Sequence, residues 1–453
     1  MSGDVDYPQG CLPIVNGPSV SQSQQIERLR KLAGCLYDCK PNNDEEVQQP
    51  NRFRRLFAHL SDDCFLDNSN SDFRIYLSLC LANILRVFQP EVPTAAALDL
   101  KDVYLHLFRT LRGLGEVTTD SPKFKHYFHL VEAIEKILHP LSEMKDFDDK
   151  EAHPVFRSLI KEILSVPCGK AWQKNLQRDK KRIRESVEDE ETQNGEEEED
   201  EEEEDSIDKI RKVLVTIGVN AITELDYVPN EILDVLFYHI VSPQRTNFVE
   251  SRLLAQDIIR SCVESGNNNL AQAIENAITS AGKDGKLPEE FELTGSNSRN
   301  KYFEVLRCLH HVSYDLVANA IQEMSFWLQS ENEAYRREAV QIVGMITSDR
   351  NCQFGMDTND ATWAAFLNAA HDVDHSVRLE FVKQSRNVLT SNHSHLRGQV
   401  INSLLRLSTD PVDEVRDDVV SAVTEVAKCK LEVISDKMLK TCADRMKDKK
   451  VSV

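Results

Sequence analysis

Apolar residues recur along most of the chain at intervals of three and four, the spacing that lines one face of an α-helix. Runs of this kind stand at SQSQQIERLRKLAGCLYDC, FKHYFHLVEAIEKIL, IRKVLVTIGVNAI, NEILDVLFYHIV and FVESRLLAQDIIRSCV. The helix in NSDFRIYLSLCLANILRVFQPEVP, from Asn70, is apolar enough that burial is expected. That helix opens with Asp72 and Arg74 and is stopped by Pro90, with Pro93 close behind. Glycine and proline are scarce, at 16 and 15 of 453 residues, and nothing alternates as strands separated by tight turns do. The predicted class is all-α.

The same helix start recurs. Phe73-Arg74, Tyr335-Arg336, Val377-Arg378 and Val415-Arg416 each follow an Asp, Asn or Glu. Counted from the residue before the arginine, an apolar side chain falls at +4 and +11 in all four, and at +7 or +8 in all but the third, where Gln384 and Ser385 stand. Tyr335 to Val377 is 42 residues and Val377 to Val415 is 38. A HEAT unit of two antiparallel helices takes roughly 40 to 47. The expected architecture is therefore a HEAT-repeat solenoid of stacked helix pairs. Within it, Asp72, Arg74, Arg336, Asp374, Arg378 and Arg416 are expected to serve stacking: an acid or Asn caps the helix, and the arginine reaches a turn carboxylate of the adjacent repeat. Val453 falls 38 residues after Val415, where the next start belongs, so a short isoform or a fragment of a longer array is expected.

Charge divides the chain. Of the formal −21, 14 negative charges lie between Glu188 and Asp205, with no base among them. Just upstream, KAWQKNLQRDKKRIR carries seven bases against one acid. The organisation read from this is an N-terminal segment over 1–50 with one helix and a polar linker, and helical repeats over 51–169. A basic and acidic disordered insert over 170–209 follows, then HEAT repeats over 210–453. Lys180, Lys181, Arg182 and Arg184 form a candidate nuclear import signal; a solvated helix end that neutralises its acidic neighbour is the alternative. Ser186 lies in an acidic context that acidophilic kinases favour, against an unmodified linker serine. The remaining balance of −7 gives no argument for nucleic-acid binding. The 11 scattered cysteines read as reduced thiols, and neither a leader peptide nor a membrane span is found, so cytosol or nucleus is expected.

Catalytic patterns are weak. His371 and His375 share one helix face by spacing, but Asp372-Val373-Asp374 separates them where a zinc protease places a glutamate directly after the first histidine. Cys35 and Cys39 are one residue too far apart for a CxxC pair, and no phosphate loop, nucleophile elbow or paired carboxylate stands out. No enzyme is predicted; a degenerate active site is the rival to test at His371 and His375. No metal is expected.

The segment LSDDCFLDNSNSDFRIYLSLCLANILRVFQPEVP resembles the N-terminal block of the cohesin-associated sister-chromatid cohesion proteins named for precocious dissociation of sisters. Asp72, Arg74, Cys80, Leu81, Ala82, Ile84, Pro90, Glu91 and Pro93 match that family's block. Ser121-Pro122-x-Phe124 with Tyr127-Phe128-x-Leu130, the stretch HSVRLEFVK and Tyr7-Pro8-x-Gly10 match further blocks. The resemblance implies a non-catalytic HEAT scaffold in the nucleus, associated with chromatin and weakly and indirectly with DNA. Its partners would be the kleisin subunit of the cohesin ring and the factors that release or protect that ring. It also implies that the loop with Pro90, Glu91 and Pro93 takes short regulator peptides, here with Gln89 and Val92 in place of two alanines. Inositol hexakisphosphate is a further ligand implied, with no residues assigned, and no membrane partner is expected. A nuclear-transport receptor or a phosphatase scaffold subunit is the alternative, since both share the repeat logic.

Overall fold

A computed structural model describes residues 5–15, 20–40, 53–89, 91–93, 97–138, 149–178, 207–241, 249–266, 268–284, 301–352 and 356–445. The described residues are helices and turns, with no strand among them. The chain falls into two compact units, Met1–Leu270 and Ala271–Val453.

The first unit is built around a central row of helices. These are α1 (Gln22–Tyr37), α4 (Ser71–Phe88), α6 (Pro122–Lys136), α8 (Ile207–Thr223) and α10 (Val249–Glu264), each packed on the next. A second row, α5 (Ala97–Leu111), α7 (Asp149–Ser165) and α9 (Asn230–Val241), lies against it. Two short helices, α2 (Arg54–Leu60) and α3 (Asp63–Leu66), precede α4. α4 has α1, α5 and α6 as neighbours, and from Phe73 to Phe88 almost every side chain is buried. Its start is fixed by Asn70, whose Oδ1 accepts from the amides of Asp72 at 2.9 Å and Phe73 at 3.1 Å.

The expected insert over 170–209 is corrected at both ends. Residues 172–178 are helical, with Trp172 and Asn175 buried. Asn175 accepts from the Thr119 amide at 3.1 Å and donates to the Val117 carbonyl at 3.0 Å, while Arg178 pairs with Asp120. Ile207 already opens α8. Basic composition does not prevent packing where one turn sets an indole and an amide inward. The rest of that insert, including Lys180, Lys181, Arg182, Arg184, Ser186 and the acidic run, lies outside the described residues.

In the second unit α12 (Lys301–Val312), α14 (Glu333–Ser348), α16 (His375–Thr390) and α18 (Asp413–Cys429) form one row, each packed on the next. The other row holds α13 (Met324–Trp327), α15 (Met356–Asn368) and α17 (Ser394–Leu407). α14 and α16 come close together at Gly344, where an added Cβ would stand 2.4 Å from the Gln384 Cβ. A small residue is required there. Gln384 is itself buried and bonded to Glu380 at 2.8 Å, which explains why a polar residue stands at a position where the other repeats carry an apolar one.

Candidate functional site

The stretch from Gln89 to Pro93 leaves the C-terminal end of α4 and is held from two sides. Arg54, the first residue of α2, donates from Nη1 to the Pro93 carbonyl at 3.2 Å and sets Nη2 3.6 Å from the Glu91 carboxylate. Its guanidinium also lies 5.4 Å above the Phe88 ring. The residue before it, Phe53, is buried with φ at 73°, the one non-glycine residue in the left-handed region among those described. That conformation is costly for an aromatic residue, and it sits where α2 is aimed at the loop. From the other side the Gln89 amide donates to the Lys136 carbonyl at the end of α6. Pro93 is buried, whereas the Glu91 side chain is 74% exposed. Pro90 lies outside the described residues.

Lys136 also lines a hollow of about 240 Å³ together with Tyr37, Asn83, Arg86, His129 and Glu132. Arg86 donates from Nη2 to the carbonyls of Leu36 (3.1 Å), Tyr37 (2.9 Å) and Cys39 (3.1 Å), and so closes the C-terminal end of α1. Tyr37 is exposed, its ring centroid 5.6 Å from that of His129. An exposed carboxylate, an exposed phenol and cationic side chains thus stand close to this turn.

Arg54 carries no sequence signal, since it lies 39 residues from Pro93 and outside every motif. Replacing Arg54 by alanine is expected to raise amide hydrogen exchange across residues 88–93, read by mass spectrometry. Global stability should change by less than about 1 kcal/mol, because the ion pair is largely exposed.

The stacking residues divide. Arg336 forms a two-pronged pair with Asp372, Nε–Oδ2 at 2.7 Å and Nη2–Oδ1 at 2.8 Å. Arg378 does the same with Asp410, at 2.8 and 2.9 Å. Each also donates from Nη1 to two carbonyls of its own turn, and so does Arg416, to Asp410 at 2.8 Å and Pro411 at 3.3 Å. Asp374 takes the capping role expected of the acid, accepting from the Ser376 amide at 2.8 Å, while the carboxylate that receives the arginine is Asp372, two residues earlier. Asp72 pairs with Lys123 of α6 at 2.5 Å and belongs to no arginine rung. Arg74 reaches no carboxylate: among the described residues its side chain has no hydrogen bond or ion pair, and its Nε is buried without a partner.

The two histidines spaced for a metal do not converge. His375 opens α16 beside Asp374, and His371 meets Arg406 at 3.4 Å. Among the described residues no group of three potential ligands could hold a metal ion, and no helix is long and apolar enough to cross a membrane.

Stacked helix pairs in both units, with arginine–aspartate rungs between successive repeats of the second, define a helical-repeat fold of the HEAT type. Residues 23–453 match the family described as sister chromatid cohesion protein PDS5. The chain belongs to that family. It is 24% identical over 448 residues to the PDS5 homolog B-A of Xenopus laevis, covering 99% of this chain and 27% of the relative. It is also 24% identical over 448 residues to the PDS5 homolog A of Homo sapiens, covering 99% and 29%. The chain thus spans somewhat more than a quarter of the length of these relatives. Among solved structures it is similar in fold to a chain in the structure of the Pds5–Scc1 complex, with a TM-score of 0.58 at 17% identity over 99% of this chain and 61% of that one.

Proposed function

We propose that this chain is a non-catalytic scaffold of the cohesin ring in the nucleus, retaining the kleisin subunit on its helical surface and regulator peptides at the Gln89–Pro93 loop. The observation that carries this is the family match across residues 23–453, together with a loop whose backbone is fixed by Arg54 and Gln89 while Glu91 faces solvent. A relative's structure is that of a complex with Scc1, which supports a kleisin segment as the partner. No reaction is required. Several extended peptides held at once on a repeat surface gain by effective concentration, so modest single affinities suffice. Release and protection factors would then compete for, or share, the same loop.

The test is retention of purified kleisin by the folded chain, with partners from nuclear extract identified by mass spectrometry. Kleisin is expected among the retained proteins. Glu91→Ala is expected to weaken capture of the release or protection factors by about tenfold, the loss of one charge-assisted contact, and to leave kleisin retention unchanged. A folded chain that retains no kleisin rejects the assignment.

A further inference from the structure

The arginine rungs follow a rule finer than the helix-start signature. In four repeats the residue two before the helix cap accepts from the cap's amide: Asn68 from Asn70, Ser330 from Asn332, Asp372 from Asp374 and Asp410 from Val412. Where that residue is aspartate, its carboxylate also takes the arginine of the preceding repeat. For Arg74 of α4, the next helix in the row is α6, capped by Ser121. Two residues before Ser121 stands Thr119, which has no carboxylate. At the position that supplies the rung in the second unit, this turn offers no carboxylate.

The arginine is left beside a cavity of about 390 Å³ lined by Asn68, Ser69, His106, Arg109 and Thr110. Asn68 and Ser69 occupy the turn positions, six and five residues before the arginine, whose carbonyls in three other repeats receive its counterpart. His106, 5% exposed, meets the Leu66 carbonyl through Nδ1 at 3.0 Å. A carbonyl only accepts, so Nδ1 carries the proton. The His106 ring also faces the Arg74 carbonyl, and the buried Arg74 Nε lines the hollow as a donor without a partner. Around it stand Arg109 and the acidic Asp63, Asp67 and Asp102. An acid flanked by bases complements that ring.

We propose that the cavity beside Arg74 receives an acidic side chain of a partner polypeptide, which completes the rung that Thr119 leaves open. A carboxylate matches the planar fork of Arg74, as Asp372 and Asp410 match Arg336 and Arg378. The site lies at the opposite end of α4 from the Gln89–Pro93 loop and does not depend on the cohesin assignment.

The probe is the blocked tripeptide acetyl-Lys-Asp-Lys-amide against its Asn analogue and against acetate, titrated into the full chain with 15N-labelled arginine. Arg74→Gln assigns the Nε–H signal. The acidic peptide is expected to shift that signal and slow its exchange, and the Asn analogue to bind at least about tenfold more weakly, the loss of a charged hydrogen-bonded pair. Thr119→Asp supplies the rung in cis: it should move the Arg74 signal with no peptide present and weaken the peptide about as much. Equal binding of both peptides overturns the proposal, as does an Arg74 signal unmoved by Thr119→Asp. Acetate as effective as the peptide overturns it too, assigning the cavity to a free carboxylate.

Discussion

Arg378→Ala is expected to destabilise the second unit by about 3–5 kcal/mol, the cost of leaving one partner of a buried pair uncompensated. The Arg378 and Asp410 side chains are 10% and 5% exposed. The guanidinium donates twice to that carboxylate and twice more to the carbonyls of Asp372 and Val373. Asp410 is in turn tied to the Val412 amide at 2.9 Å, so it cannot swing into solvent without releasing the start of α18. Removing the arginine strands one charge and two carbonyls at the seam between α16 and α18. The exposed pair of Arg386 and Glu425, side chains 44% and 46% exposed, joins the same two helices and is the control. Arg386→Ala should cost no more than about 1 kcal/mol. Urea unfolding followed by far-ultraviolet circular dichroism reads both. If Arg378→Ala costs no more than Arg386→Ala, the rungs do not hold the repeats together. The double replacement Arg378→Met with Asp410→Leu should recover most of the loss, because neither charge is then buried alone.

That architecture is legible in the sequence because helix periodicity and the apolar-arginine start are local patterns, and local patterns survive in a single sequence. What is not legible depends on small offsets and long reaches. Asp372 and Asp374 are two acids in one turn, and spacing alone does not separate the residue that bridges repeats from the one that caps the helix. The offset from the cap decides it, and the same offset identifies Thr119 as the missing rung. Arg54 holds the loop from a helix 39 residues away, guided by a left-handed Phe53 that composition does not mark. The basic stretch after Lys170 reads as disordered by its average charge, while residues 172–178 fold as a helix with Trp172 and Asn175 facing inward on one turn. Pro90, Glu91 and Pro93 stand out by resemblance alone; Glu91 is exposed and paired, Pro93 is buried, and nothing in the periodicity distinguishes them.

Acidification is expected to weaken the first unit through two buried histidines, and the loss should fall between about pH 6.5 and pH 4. His106 meets the Leu66 carbonyl, and His239 meets Ser251 Oγ at 2.6 Å. Ser251 spends its own proton on the Leu164 carbonyl at 2.6 Å, so it accepts from His239 Nδ1. Burial dominates both sites and pushes each imidazole down to about 4. Both are therefore neutral in the folded chain at neutral pH. The unfolded chain binds protons at these positions near the ordinary histidine pKa of about 6.5, so it gains protons first as pH falls. The stabilisation is fully present above that value, is lost progressively towards pH 4, and levels off once the folded imidazoles also charge. At about pH 4.5 each histidine should cost roughly 2.5 kcal/mol relative to pH 7, at about 1.36 kcal/mol per unit of pKa difference. Carboxylates begin to titrate at the acid end of this range, and burial pushes Glu162 of the same unit up towards it, so the informative quantity is the difference between the chain and its His106→Gln, His239→Asn double variant. Urea midpoints from pH 7 to about pH 4.5 should fall steeply for the parent chain and markedly less for the double variant, even if the variant is less stable at neutral pH. Parallel pH profiles for the two proteins would place the acid sensitivity elsewhere in the unit.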